Sequence, residues 1–158
     1  MLEGNRVRLK RLGKMNVNRL AAPCGLYCGA CIDYLFYKKC HGCSCNRGEC
    51  DASAHHKNCD VYKCCVEQKG LETCGECNEL PCSKLIQFCY SPIWLSHLPV
   101  IENLRRQKAV GVKRWTKEQE EAWSNEWYLQ RWIGLQKECE NKLKQSFADS
   151  KHAPQKKK

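Results

Sequence analysis

The chain has 158 residues, 15 of them cysteine, and a formal net charge of +10. That cysteine fraction is above the roughly 8–10% at which a short chain reads as a disulfide or metal scaffold. An ordinary hydrophobic core is excluded for the window Cys24–Cys89, which holds 14 of the 15 and few large aliphatic residues.

Residues 1–20 read as a basic, disordered leader, with six Lys/Arg against one acid. Arg6, Arg8, Lys10, Arg11 and Lys14 precede no apolar stretch of about 7–15 residues, so the segment is not a secretory signal. It is Arg-rich and acid-poor like a mitochondrial presequence but lacks Ser, and Met15, just ahead of the patterned sequence, reads as an alternative start. No run approaches the ~18 apolar residues of a membrane span.

Residues 21–90 read as a Cys-rich metal-binding module. Short helices are expected at Ala30–Lys38 and Cys59–Lys69, with a Gly-, Asn- and His-containing loop over Cys40–Asn58 between them. Pro81-Cys82-Ser83 has the form of a helix entry. Residues 91–145 read as a helical, Trp-rich extension. Pro92 and Pro99 break the chain. A short helix is expected over Pro99–Ala109, ending near Gly111.

Thr116-Lys-Glu-Gln119 has capping-box form, so the last helix is expected to start there and run to about Lys144. On it Tyr128, Trp132, Leu135, Cys139 and Leu143 share one apolar stripe, widened by Ala122, Leu129 and Ile133. Cys139 on that stripe reads as a buried thiol. Trp123 and Trp127 project to the other side, as part of a sandwiched helix or as a protein-partner face. From Ser146 the chain turns polar, and 146–158 read as a basic disordered tail with six Lys among residues 141–158.

Between the two ends 15 basic and 15 acidic side chains cancel. Each four-thiolate zinc site would add a net −2 to that neutral middle. Nucleic acid therefore finds little to hold beyond weak, salt-dependent contacts with the tails.

CxxC occurs three times, at Cys28/Cys31, Cys40/Cys43 and Cys74/Cys77, with further cysteines between. Two intervening residues let a tight turn aim both sulfurs at one ion, and three such units in about fifty residues point to bound metal. The odd cysteine count and the adjacent Cys64–Cys65 weaken a fully disulfide-paired framework, and with no export signal a reducing cytoplasm is the expected setting. Tetrahedral all-sulfur sites suit zinc and, alternatively, a [4Fe–4S] cluster. The Cx3Cx2C run Cys24/Cys28/Cys31 has radical-SAM spacing, but Ala30 stands where an aromatic belongs and the chain is too short for that barrel.

Catalytic signatures are sparse. There is no Ser/His/Asp order, phosphate loop or HExxH, and only Glu76 and Glu79 flank candidate ligands as bases for a catalytic zinc. A binding module is expected more than an enzyme.

The order CGLYCGAC from Cys24, KKCHGC from Lys38, CDVYKC from Cys59 and KGLETCGECNELPCSKL from Lys69 resembles the Cys-rich domain-of-unknown-function family numbered 3795. The resemblance covers roughly Ala22–Ile86. It implies metal binding, zinc foremost, through Cys24, Cys28, Cys31, Cys40, Cys43, Cys59, Cys64, Cys74, Cys77 and Cys82, and it brings no established activity. Cys45, Cys50, Cys65, Cys89 and Cys139 fall outside that pattern. Ten thiols do not divide into four-cysteine sites. Two sites would leave two thiols over, either redox-active or joined with His41, His55 or His56 in a third. The expected fold is small, metal-stabilised and mostly α with irregular Cys-rich loops: four-cysteine knuckles followed by a C-terminal helical segment.

Overall fold

The structure, a computed structural model, describes residues 20–44 and 59–152, with backbone alone for 151 and 152. The leader up to residue 19, Met15, Cys45, Cys50, His55, His56 and the tail beyond residue 152 lie outside the described residues. Among the described residues the fold is helical with no strand, and a single antiparallel bridge joins Ala21 to Tyr27.

A 3-10 turn at Cys28–Ala30 leads into the short α1, Ile32–Leu35. The second helix, α2 (Asp60–Tyr62), is capped by Cys59, whose Sγ accepts from the Tyr62 amide at 3.4 Å. It continues in π-helical winding over Lys63–Gln68, a wider coil than the α-helix and one often found at functional sites. After a 3-10 turn at Cys74–Glu76 comes α3, Ser83–Cys89. Then α4 spans Val100–Val110 between Pro99 and Gly111, close to the expected bounds. Gly111 has φ +83°, a conformation that favours glycine.

The C-terminal segment departs from the expectation of one helix. It forms α5, Val112–Ala122, and α6, Glu126–His152. Thr116 is not a cap. It lies inside α5, buried, and its hydroxyl donates back to Val112 O at 2.8 Å. The cap belongs to Asn125, whose Oδ1 accepts from the Trp127 and Tyr128 amides at 3.1 and 3.3 Å. Helix α6 runs past Ser146 to His152.

Two apolar clusters form the core. One gathers Leu20, Ala21, Ala22, Tyr27, Cys28 and Ala30 around Trp115 of α5, with Tyr27 and Trp115 edge to face at 6.2 Å. The other joins Val61 of α2, Leu85 and Cys89 of α3, and Val100 and Leu104 of α4. The Cys-rich loops, poor in aliphatic residues, thus borrow Trp115, Val100 and Leu104 from the helical extension. The approach is close enough to dictate sequence. Gly25, at φ +94°, would carry a Cβ 2.7 Å from Leu104 Cγ, and Gly75 would carry one 3.1 Å from Leu104 O. The α6 stripe is turned from its expected setting. Ile133 and Cys139 are buried, Leu129, Trp132, Leu135 and Leu143 are half-buried, and Tyr128 is 58% exposed.

Candidate metal centre

The candidate ligands fall into two groups. In the first, the turn at Cys28–Ala30 and the loop Cys40–Cys43 face each other. The Cys43 amide donates to Cys28 Sγ at 3.3 Å, and the Gly42 amide donates to Cys40 Sγ at 3.4 Å. The Cys43 thiol hydrogen-bonds both Cys28 and Cys40, which with burial pushes it well up. Burial, then the neighbouring Cys28, pushes Cys31 up to about 12 against the pull of the Tyr34 and Asp33 amides. The Tyr34 hydroxyl is raised by burial and by Cys28 and Cys40. Helix α6 closes this group from behind. Gln136 accepts from the Ile32 amide at 3.1 Å and donates to Ala30 O at 2.8 Å.

The second group surrounds a cavity of about 20 Å³ beside α2 and α3, lined by Cys64, Cys65, Cys74, Cys77 and Cys82. Its rim carries Lys69, whose Nζ donates to Cys77 Sγ at 3.3 Å and to Glu79 Oε1 at 2.8 Å. Cys74 is pushed up first by a hydrogen bond to Cys65, then by burial. Its loop is pinned from both sides, as the Cys74 amide donates to Pro23 O at 2.9 Å and Thr73 donates to Gln107 Oε1 at 2.8 Å.

Cys24 lies between the groups. Burial raises its thiol, the Leu26 amide lowers it, and Cys59, Cys28 and Cys74 raise it further. Cys59 points its sulfur at the start of α2. These raised thiols share a cause: each neighbouring sulfur and the loss of water penalise the thiolate. A dication in their midst would reverse that penalty. The side chains stand as hydrogen-bonded thiols, and among the described residues no three His, Cys, Asp or Glu converge in metal-holding geometry.

The second group includes one residue outside the expected ligands, Cys65. Its signal in the sequence is adjacency to Cys64, and both line the cavity from the π-wound segment. Cys89 and Cys139 are buried apart from both groups, and Cys89 donates to Leu98 O at 3.2 Å. Glu76 is exposed and Glu79 is engaged with Lys69. Trp123 and Trp127 line one open surface hollow with Tyr128, Arg131 and Trp132. Trp123 packs on Trp132 at 5.2 Å, whereas Trp127 is 61% exposed, edge to face with Tyr128 and under Arg131.

Among the described residues no helix is long and apolar enough to cross a membrane. Compared with protein-family models, with curated proteins and with solved structures, the chain finds no match in any of the three.

Proposed function

We propose that this chain is a zinc-binding structural and interaction module with two thiolate sites. The observation that carries the reading is the gathering of five cysteine side chains around one cavity of about 20 Å³. That is room for about one water-sized particle. It suits a single ion. Cys64, Cys74, Cys77 and Cys82 would hold one ion, and Cys28, Cys31, Cys40 and Cys43 the other. Cys24 and Cys59 are then the two family-pattern thiols left over. The resemblance to family 3795 supports the same donor set.

Zinc in such sites supplies cross-linking energy, on the order of 10–16 kcal/mol apparent for small domains, against total domain stabilities of about 5–15 kcal/mol. The ligands are thiols that need a reducing compartment, in keeping with a cytoplasmic setting. The exposed Trp127–Tyr128 pair is the contact surface this reading offers a protein partner.

The test is metal analysis of protein purified without oxygen. Colourless protein with about two zinc ions per chain is the expected result. Brown protein with iron and acid-labile sulfide would replace this reading with an electron-transfer one.

A further inference from the structure

Lys69 ends the π-wound segment beside α2, and its backbone amide donates to Cys64 O at 3.1 Å. Gly70 follows at φ +62°, where the chain turns back, and Leu71 joins the cavity wall. From this anchored root the ammonium reaches the loop after the Cys74–Glu76 turn. There it donates to Cys77 Sγ at 3.3 Å and to Glu79 Oε1 at 2.8 Å. The side chain is 31% exposed, and Val61, Leu80 and Leu85 line the same cavity. Charges in such a setting are screened less than charges in open water. In the first thiol group, by contrast, the sulfurs of Cys28 and Cys40 accept from the backbone amides of Cys43 and Gly42.

We infer, on the zinc reading above, that Lys69 is a positioning residue of this cavity: its ammonium hydrogen-bonds the Cys77 thiolate of the loaded site and slows the loss of the ion. Four thiolates around a zinc dication leave a surplus of two negative charges. One ammonium at a sulfur offsets half of that surplus, and a charge-assisted hydrogen bond fixes the direction of the sulfur. Outer partners of this kind hold metal ligands in place, and their loss typically costs about 10–100-fold in metal affinity. The Glu79 carboxylate in turn keeps the ammonium at the rim.

The experiment dilutes the zinc-loaded full chain into an excess of the zinc-binding dye pyridylazoresorcinol and follows the coloured complex with time. Lys69→Met keeps the stem and removes the charge. It is expected to speed one of the two release phases by about tenfold and leave the other unchanged. Lys69→Gln is the second neutral variant should the first fail to fold, and Lys69→Arg should restore most of the parent rate. In cobalt-loaded protein the sulfur-to-cobalt band should move to lower energy in Lys69→Met, because a sulfur relieved of its hydrogen bond gives up an electron more easily. Lys84 also lines the cavity but is exposed. Lys84→Met should therefore stay within about twofold of the parent, as should Glu79→Gln, which leaves the ammonium at the sulfur. Equal acceleration in Glu79→Gln and Lys69→Met would make the ion pair a strap between two loops and overturn the inference. A parent chain that takes up no zinc sinks the zinc reading and the inference together. A loaded parent whose release ignores Lys69→Met, or responds equally to Lys84→Met, sinks the inference alone.

Discussion

Gln136, in the middle of α6, brackets the first thiol turn by donating to Ala30 O at 2.8 Å while accepting from the Ile32 amide at 3.1 Å. The contact spans more than a hundred residues of sequence and is 7% exposed at Gln136. Gln136→Ala would leave two backbone groups buried without partners, at about 1–3 kcal/mol each. The expected outcome is a lowered urea midpoint in metal-loaded protein and weaker retention of metal at Cys28 and Cys31. An unchanged midpoint would show that water replaces the amide at no cost.

Two glycines should respond with opposite signs. At Gly25 the positive φ and the clash with Leu104 make Gly25→Ala destabilising by about 2 kcal/mol or more, from backbone strain and overpacking together. Metal content should fall with it, because Cys24 is the next residue. At Gly134, inside α6, a Cβ meets nothing within 4 Å. Gly134→Ala should therefore stabilise by about 0.5–1 kcal/mol. Thermal melts of both variants check the pair.

His97 sets an acid limit. Its ring lies between Phe88 and Trp94, with centroids at 4.0 and 5.8 Å, and Nδ1 donates to Phe88 O at 3.2 Å. Burial lowers its pKa from 6.5 to about 4 against that hydrogen bond. Between those values the unfolded chain binds the proton and the folded one does not. Stability is then whole above pH 6.5 and falls with pH down to about 4, by up to about 3 kcal/mol. His97→Phe keeps the stack and should flatten this part of the profile. Protonated cysteines also release metal in acid, so the quantity to read is the difference between the variant and the parent at pH 7 and pH 4.5.

Cys31 contributes, with the other raised thiols Cys24, Cys43 and Cys74, to the alkaline behaviour of the metal-free protein. The Cys31 thiol is raised from 9.0 to about 12, so the folded state holds a proton that the unfolded state releases. Stability is whole below pH 9 and is lost as pH rises toward 12. Metal reverses the trend, since a bound dication needs the thiolate. Zinc affinity should climb with pH as protons stop competing. Denaturation series with and without added zinc between pH 7 and pH 10 check the crossing. Parallel slopes would mean that these thiols carry no metal.

What could be read from the sequence followed local rules. Pro99 and Gly111 mark the ends of α4 because ring closure and positive φ act where they stand. CxxC spacing brought Cys28/Cys31, Cys40/Cys43 and Cys74/Cys77 to the thiol groups because two-residue turns need no tertiary help. The break between α5 and α6 was hidden by Thr116, whose capping-box pattern is local while its burial is tertiary. Tyr128 fell on the apolar stripe by arithmetic, yet once Asn125 caps α6 the helix seats itself on Ile133, Gln136 and Cys139 instead. Cys65 carried no mark in the sequence beyond its adjacency to Cys64, since its place at the cavity is set by how its helix packs.

Leu104 and Trp115 also bear on inheritance. The cysteine loops and the helices after residue 91 look separable in composition, yet Leu104 fills the space that Gly25 and Gly75 leave, and Trp115 roofs Tyr27 and Cys28. The thiol loops therefore cannot be transplanted as a free-standing cassette. A fusion carrying only residues 21–90 would expose the underside of its own ligand loops, and a relative that kept the cysteines but lost α4 and α5 would need another pair of large side chains in their place.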